Sequence, residues 1–343
     1  MESKTAILII YTGGTVGMMK DPETGSLKPF DFERLFQHIP VLERMHYQID
    51  YHTFDPLVDS SNMKPSFWVR LAGIIEERYE DYDGFVVLHG SDTMAYTASA
   101  LSFIFENLNK PVVLTGAQLP LDVIRSDGRD NIINSVEIAA ARENDIALVP
   151  EVAICFENYL YRGNRTSKFN AENFEAFLSG NYPALAEVGV KIKYKRNYIQ
   201  KPNFKKLKVH SKLETNVAIL KLFPGITKCA VESILNTQDL KAVILETFGS
   251  GNAPTDKWFL DALKRAIERG MYIYNVTQCK SGTVEMGLYE TSADLEKMGV
   301  IGGSDITTES AIAKMMYLLG SGYERGKVLE LMRSSLRGEL TMQ

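Results

Sequence analysis

The chain has 343 residues, of which 45% are hydrophobic and 24% are charged, and its formal net charge at pH 7 is -5. This size and composition predict an ordinary globular protein of two domains, and the acidic balance argues against general nucleic-acid binding. The N-terminus lacks the apolar core and cleavage site of a signal peptide, and no apolar run is long enough to span a bilayer. We therefore expect a cytoplasmic protein without a membrane partner.

Cysteine and histidine usage predicts neither a disulfide framework nor a metal centre. Cys155, Cys229 and Cys279 are odd in number, far apart and outside any zinc-binding spacing, which predicts buried, reduced thiols. The five histidines show no metal-ligand spacing either. We therefore expect no metal ion.

The N-terminal strand leads into the turn on which the functional interpretation depends. Residues 6–10 lack polar alternation, as is typical of a strand buried on both faces of a parallel sheet. In the turn that follows, Gly13 and Gly14 permit close approach of a ligand to the backbone, and Thr15 lies near the carboxyl end of the strand. Three interpretations stay open: an ordinary tight turn, a dinucleotide-binding turn whose full glycine pattern is not met, and a turn that holds a threonine nucleophile.

A polar segment and a cluster of hydroxyl side chains come next. Residues 18–29 predict a long loop that could serve as a lid, and residues 31–38 predict a short helix. The cluster Asp59-Ser60-Ser61 precedes an amphipathic helix predicted from Ser66 to about Glu80. Capping of that helix is the favoured role of the cluster, and binding of a small polar ligand is the alternative.

A second buried strand, predicted over residues 84–88, also ends in a polar turn. Ser91 and Asp92 follow it and precede a helix predicted from Met94 to Asn107. The free N–H groups and the positive dipole end of such a helix favour an anionic group. Asp92 could instead be the N-cap of the helix, and the two roles are compatible because both use the same N–H donors.

The remaining pattern alternates buried strands with helices and predicts two α/β domains. In the N-terminal part, strands over residues 111–116 and 152–156 flank a helix over residues 132–142, which indicates a doubly wound parallel sheet. A smaller α/β unit follows, with predicted strands at 217–220, 242–245 and 272–276 and helices at 230–236, 257–268 and 309–319. A basic stretch without acidic residues separates the two and predicts a solvated linker rather than a nucleic-acid site. The predicted division is 1–190, a linker at 191–213, and 214–343.

Several short motifs now agree in order and spacing. They are TGGTVG at Thr12–Gly17, DSSNM at Asp59–Met63, HGSDTMAYTA at His89–Ala98, RSDG at Arg125–Gly128, YRGNRTSK at Tyr161–Lys168, GNAP at Gly251–Pro254, TQC at Thr277–Cys279 and RGELT at Arg337–Thr341. Together they resemble the type I, cytoplasmic branch of the bacterial-type L-asparaginases over nearly the whole chain. The resemblance implies a larger N-terminal and a smaller C-terminal domain and homotetramers built from intimate dimers. It also implies hydrolysis of L-asparagine to L-aspartate and ammonia without a cofactor.

The same resemblance implies roles for individual residues. Thr15 matches the nucleophile that forms a β-aspartyl ester, and Asp92 is our choice for the partner of the substrate's α-amino group. Ser91, Asp92 and Lys168 match the group that activates the nucleophile. Residues that bind the substrate are matched by Asp59, Ser60 and Ser61. Asn252 matches an asparagine that the family brings towards a neighbouring subunit's site.

The chain departs from the family in three places. Ser91 replaces the usual threonine, which keeps the hydroxyl but frees its side-chain rotation. The segment from Met18 to Pro29 lacks the tyrosine that contacts the nucleophile in many members. Either Tyr11 or another group substitutes for it, or Thr15 relies on a different activator. Glu246 falls where some type I members use an arginine for activation by asparagine, which argues against that regulation.

Three other functions are alternatives to this one. A non-catalytic protein that binds an amino acid is the main alternative, and ammonia release from L-asparagine separates the two. A nucleotide-binding enzyme would require binding of NAD or ATP. The asparaginase-like subunit of a tRNA-dependent amidotransferase carries a further domain ahead of the motif that begins here at Thr12.

Overall fold

The structure is a computed structural model, and it describes residues 4–20, 27–29, 37, 39–287 and 290–342. The chain divides into two compact units, Met1–Ser211 and Lys212–Gln343. The helix predicted over residues 31–38 lies outside the described residues apart from Gln37, and so does the middle of the predicted lid, residues 21–26. The two ends of the predicted lid are strands and not loop, because Met18–Lys20 pairs in an antiparallel arrangement with Leu27–Pro29.

The first unit is built on an eight-stranded sheet. Its strands are β1 (Ala6–Tyr11), β2 (Gln48–Thr53), β3 (Gly84–Leu88), β4 (Val112–Thr115), β5 (Val152–Phe156), β6 (Tyr159–Arg162), β7 (Ala186–Glu187) and β8 (Lys193–Tyr194). They lie in the order β8-β7-β6-β5-β4-β3-β1-β2. Strands β1 to β5 are parallel, and β6 to β8 extend the sheet in antiparallel pairs. The chain therefore crosses from one side of β1 to the other between β2 and β3.

Strand β1 is buried along its whole length, as its apolar composition predicts. Its alternate residues Ile7, Ile9 and Tyr11 belong to a core that also contains Ile132 and Val136 of a helix in the same unit. Because side chains alternate between the two faces of a strand, burial of every residue means that both faces of the sheet are covered.

The helices of this unit differ from their predicted bounds only at the ends. They are α1 (Pro65–Glu77), α2 (Met94–Ile104) and α3 (Gly128–Ala140), with a short helix at Val41–Arg44. Helix α2 ends before Asn107, because Phe105–Glu106 leaves the helix to pair with Lys208–Val209. Helix α3 begins before residue 132 because its first turn, Gly-Arg-Asp-Asn, is polar and shows no apolar periodicity.

Edge strand β2 was not predicted from the sequence. It pairs in parallel with β1 but has mostly exposed or half-exposed residues. Its polar sequence, Gln-Ile-Asp-Tyr-His-Thr, therefore lacks the apolar run that marks β1, β3 and β5. Shorter pairs complete the unit: Arg142–Glu143 with Ile146–Ala147, and Ser167–Lys168 with Phe177–Leu178.

The cations of the YRGNRTSK motif are partly structural. Arg162 is 5% exposed, and its Nε lies 2.6 Å from Oε2 of the equally buried Glu151. The guanidinium of Arg162 also lies over the Tyr182 ring, as does that of Arg165. A buried pair of this kind fixes local geometry, because either charge alone would be costly to bury. The motif thus anchors the chain just before Lys168.

The second unit has a smaller, parallel sheet in the order β9-β10-β11-β12. Its strands are β9 (Val217–Lys221), β10 (Ala242–Thr247), β11 (Tyr272–Thr277) and β12 (Ile301–Gly302). Its helices are α4 (Lys228–Leu235), α5 (Lys257–Glu268), α6 (Glu290–Met298), α7 (Thr308–Gly320) and α8 (Arg325–Arg333). The predicted α/β class, with a larger N-terminal and a smaller C-terminal part, is confirmed. The boundaries of the basic linker stay a prediction.

The expectation of buried cysteines holds for one of the three. Cys155 is buried in strand β5, and burial raises the pKa of its thiol to about 12. Cys229 and Cys279 are exposed, and all three are free of disulfides. Within the described parts of the chain, no helix combines the length and the apolar character that crossing a membrane requires.

Candidate active site

Apart from Lys168, which lies in the short strand Ser167–Lys168, the predicted site residues of the first unit lie on turns that follow adjacent parallel strands. Thr15 follows β1, Ser60 follows β2 and Ser91 follows β3, and β1 lies between the other two strands in the sheet. Carboxyl ends of parallel strands meet at one edge of a sheet, and ligands bind there at the point where the strand order reverses. Here that point is β1.

Hydrogen bonds of Thr12 join these turns. Its backbone N–H and its hydroxyl both donate to the carbonyl of Leu88, at 3.0 and 2.9 Å. Its own carbonyl accepts from the N–H of Val58 at 2.8 Å. The turn after β1 is therefore held to the end of β3 on one side and to the approach to Asp59 on the other.

Gly14 and Gly90 make a close contact between two backbones. Gly14 has a φ of 93°, and a Cβ placed on it would lie 2.5 Å from both the Cα and the N of Gly90. A Cβ on Gly90 would in turn lie 2.5 Å from Oγ of Ser60. Only glycine fits both positions without displacing a neighbouring turn. Thr15, the next residue after Gly14, is thereby held against the turn that carries Ser91.

Ser91, Asp92 and Lys168 form a contacting group, although Lys168 is distant in sequence. The Nζ of Lys168 donates to Oγ of Ser91 at 2.8 Å and to Oδ1 of Asp92 at 2.7 Å. The Lys168 side chain is 18% exposed and that of Asp92 is 65% exposed. The carboxylate of Asp92 therefore faces solvent, where it can meet a charged ligand, while the ammonium is partly enclosed.

Asp59 shapes the turn after β2. Its Oδ1 accepts from the N–H of Ser61 at 2.8 Å and from the Ser61 hydroxyl at 2.6 Å. These bonds lower the pKa of the Asp59 carboxyl below its usual value, since they favour its charged form. The hydroxyl of Thr93 donates to the carbonyl of Ser60 at 2.7 Å, which joins this turn to the one that begins with Ser91.

Two other residues raised by the sequence lie elsewhere. Asn252 belongs to the second unit, in a turn closed by backbone hydrogen bonds between Phe248 and Asn252. Its part in a site stays a prediction. Tyr11 is fully buried beneath the turn that carries Thr15, with its phenol oxygen 2.0 Å from where a Cβ on Gly17 would lie. Burial raises the pKa of Tyr11 well above its ordinary value.

Comparisons with known proteins identify the family of the chain. Residues 6–200 match the family model "Asparaginase, N-terminal", and residues 216–332 match "Glutaminase/Asparaginase C-terminal domain". The chain belongs to the L-asparaginase family. It is 43% identical to L-asparaginase 1 of Escherichia coli (strain K12) over 340 residues, which cover 98% of each chain.

Two further matches bear on structure and on substrate. The crystal structure of L-asparaginase I from Vibrio cholerae O1 biovar eltor is 42% identical, with a TM-score of 0.89 over 99% of this chain and all of that one. The 60 kDa lysophospholipase of Homo sapiens is 42% identical over 358 residues, which cover 98% of this chain and 61% of that protein. The membership in the type I branch inferred from the motifs is confirmed.

Gln118 is a residue of this site that the sequence analysis did not select. Its Oε1 accepts from the hydroxyl of Ser91 at 3.2 Å, and its Nε2 donates to the carbonyls of Ala171 and Asn173 at 3.3 and 3.0 Å. It thus connects Ser91 with the segment that follows Lys168. Its position just after β4, the next strand in the sheet, was the signal that could have revealed it.

Among the residues that the structure describes, no three His, Cys, Asp or Glu side chains are grouped so as to bind a metal ion.

The contact between Gly14 and Gly90 predicts a specific steric cost. Gly225 has a φ of 89°, close to that of Gly14, but has open space where a Cβ would lie. Both Gly14→Ala and Gly225→Ala place an alanine at a positive φ, while only Gly14→Ala adds a clash. We expect Gly14→Ala to lower the free energy of unfolding, measured by urea denaturation, by about 1–3 kcal/mol more than Gly225→Ala. Equal losses in the two variants would contradict the contact.

Burial of His89 predicts a pH dependence of stability. Burial disfavours the charged imidazole and lowers its pKa to about 4. Since the unfolded chain has a histidine pKa of about 6.5, the unfolded state binds more protons between these values. The stabilisation is thus complete above about pH 6.5 and is lost as the pH falls towards 4, with a total of about 3 kcal/mol. In urea unfolding at several pH values, His89→Asn should lack this part of the slope, and identical slopes for wild type and variant would refute it.

Proposed function

We propose that this protein hydrolyses L-asparagine to L-aspartate and ammonia, with Thr15 as the nucleophile and with weaker action on L-glutamine. The class of enzyme, an amidohydrolase of the L-asparaginase kind, follows from the family and agrees with the sequence-based prediction. The observation that carries the proposal is Nζ of Lys168 bridging Ser91 and Asp92, on the turn against which the Thr15 turn packs.

The reaction we propose is a double displacement. Oγ1 of Thr15 attacks the side-chain carbonyl carbon of asparagine, and its proton passes by way of Ser91 to Lys168 acting in its neutral form. The C–N bond then breaks, the leaving nitrogen takes up the proton that Lys168 received, and ammonia departs from a β-aspartyl ester of Thr15. Water attacks the ester carbonyl and loses a proton to Lys168, the bond to the Thr15 oxygen breaks, Lys168 returns that proton to Thr15 by way of Ser91, and L-aspartate leaves.

The charges around Ser91 fit an amino-acid substrate. Asp92, with its exposed carboxylate, is the proposed partner of the α-amino group. Ser60 and Ser61 are the proposed partners of the α-carboxylate, on the short helical turn that Asp59 caps. Asp59 contributes by holding the N–H and hydroxyl of Ser61 in place. Asn252 is proposed to complete the substrate site of a neighbouring subunit, on the strength of the family resemblance.

Assembly and location are also proposed from that resemblance. We assign the protein to a homotetramer made of two intimate dimers and to the cytoplasm. Support comes from the match to E. coli L-asparaginase 1 over 98% of both chains.

Two other activities are less well supported. A non-catalytic binding protein finds no counterpart among the relatives reported above, whose names are those of enzymes. A lysophospholipase activity is suggested by the name of one relative, of which this chain covers 61%. The charged groups that surround Ser91 suit a zwitterionic amino acid better than an acyl chain.

Substitution of Thr15 tests the nucleophile. We expect Thr15→Ala to lower kcat for ammonia release from L-asparagine by about 10⁴-fold or more, because the acyl-enzyme cannot form. Thr15→Ser keeps the hydroxyl and should retain far more activity, so it serves as the matched control.

Assays of ammonia release and of fatty-acid release separate the asparaginase activity from the lysophospholipase activity. Wild-type protein should release ammonia from L-asparagine and should not release fatty acid from lysophosphatidylcholine. Wild-type rates in Thr15→Ala would show that another group attacks the amide. Fatty-acid release without ammonia release would favour the lysophospholipase activity.

A further inference from the structure

The side-chain amide of Gln118 links Ser91 to the segment that follows Lys168. Its Oε1 lies 3.2 Å from Oγ of Ser91, and its Nε2 lies 3.3 and 3.0 Å from the carbonyl oxygens of Ala171 and Asn173. These bonds use the oxygen and the nitrogen of the amide at opposite ends of one short connection. The proposed reaction gives this amide no task.

The neighbours of this amide determine where the hydroxyl proton of Ser91 lies. The carbonyls of Ala171 and Asn173 can only accept hydrogen bonds, so the nitrogen of the Gln118 amide must face them. Oε1, which carries no hydrogen, is left towards Ser91, and the Ser91 hydroxyl must be the donor in that bond. The lone pairs of Oγ are then available to Lys168, whose Nζ lies 2.8 Å away.

The RSDG motif fixes the backbone from which this amide projects. The carboxylate of Asp127 accepts from the N–H of Gln118 at 3.0 and 3.1 Å and from the N–H of Leu119 at 3.1 Å. The hydroxyl of Ser126 donates to the carbonyl of Leu119 at 3.0 Å. Asp127 stands at the N-cap of helix α3, but its side chain caps none of the helix N–H groups. Its carboxylate therefore serves the turn after β4.

A serine at position 91 needs such a partner to keep one side-chain orientation. Its Oγ can occupy three staggered χ1 rotamers, and there is no methyl group on Cβ to restrict the choice. In the proposed proton transfer, Oγ of Ser91 must stay beside Nζ of Lys168 while protons pass in both directions. Once Lys168 has taken up a proton, Nζ can only donate, so the hydroxyl proton of Ser91 requires a different acceptor. Oε1 of Gln118 is that acceptor.

We propose that Gln118 is a positioning residue that confines the Ser91 side chain to the rotamer in which Oγ faces Lys168, and that accepts the Ser91 hydroxyl proton while Lys168 is protonated. This inference rests on the proposed function and adds to it a residue that acts through Ser91. Loss of one neutral hydrogen bond of this kind corresponds to a fall in kcat of about tenfold. Since Gln118 is not among the proposed partners of the substrate, KM should change little.

A double-mutant cycle between positions 118 and 91 supplies the test. Gln118→Met keeps the length of the side chain but removes the amide oxygen and both N–H donors. Ser91→Thr keeps the hydroxyl and adds a methyl group that restricts χ1 without help from Gln118. We expect Gln118→Met to lower kcat for ammonia release about tenfold when residue 91 is serine, and about threefold or less when it is threonine.

A matched control separates the bond to Ser91 from the two bonds to the later segment. Oδ1 of Asn170 accepts from the N–H groups of Glu172 and Asn173 at 2.8 and 2.9 Å, and neither bond involves Ser91. Asn170→Ala therefore loosens the same segment but leaves the bond between Gln118 and Ser91 in place. Any loss of kcat in this variant should be equal in the serine and threonine backgrounds. Gln118→Leu replaces Gln118→Met if urea unfolding shows the latter to be unfolded.

The failure of this inference can be distinguished from the failure of the proposed function. An equal fold-loss of kcat for Gln118→Met in both backgrounds, or wild-type kcat in that variant, would overturn the role of Gln118 while leaving Thr15 as nucleophile. Rescue of Asn170→Ala by Ser91→Thr would also overturn it, since the coupling would then pass through the segment. Absence of ammonia release from wild-type protein would overturn the proposed function, and this inference with it. Rescue by Ser91→Thr of Gln118→Met alone, with unchanged KM, is the result that we expect.

Discussion

The contact between the backbones of Gly14 and Gly90 is the constraint on which the candidate site depends. These glycines lie in turns after β1 and β3, and the space between them excludes even a Cβ atom. Because the backbones touch at this point, neither turn can shift towards the other without displacing it. The hydroxyl of Thr12 and the close approach of Ser60 to Gly90 extend the same contact to the turn after β2.

The sheet supplies this contact by its strand order. Strand β1 lies between β2 and β3, and all three run in parallel, so their carboxyl ends deliver three polar turns to one place. The antiparallel strand β6 and the buried pair of Arg162 and Glu151 then return the chain so that Lys168 reaches Ser91 and Asp92. The turn that carries Thr15 and the contacting group of Ser91, Asp92 and Lys168 are thereby brought together by the fold, not by nearness in sequence.

The sequence foretold the parts of the molecule that carry a local signal. Strand β1 could be predicted from its apolar run, and the structure shows every residue of it to be buried. The turn at Thr15 could be predicted from its two glycines, which the structure shows to be sterically required. Edge strand β2 could not, because its exposed residues are polar and its existence depends on pairing with β1. The observed ends of α2 and α3 differ from the predicted ones for a similar reason. Pairing with a distant strand ends α2 early, and the polar first turn of α3 carries no apolar signal for its start.

The residues of the candidate site could likewise be predicted only where they carry a local signal. Ser91 and Asp92 could be suspected from their place between a strand and a helix, but nothing local joins them to Lys168, 76 residues away along the chain from Asp92. That link came from the resemblance to a family. Gln118 was not predicted, because its contacts to Ser91, Ala171 and Asn173 exist only in the folded chain.

The central claim is that a carboxamide is captured covalently by Thr15. The most direct measurement is mass spectrometry of peptides from wild-type protein mixed with L-asparagine and quenched in acid within the first turnover. The account predicts an adduct with the mass of aspartate less one water on the peptide that contains Thr15, and none in Thr15→Ala. An adduct on a different residue, or ammonia release in the first turnover without any adduct, would contradict it.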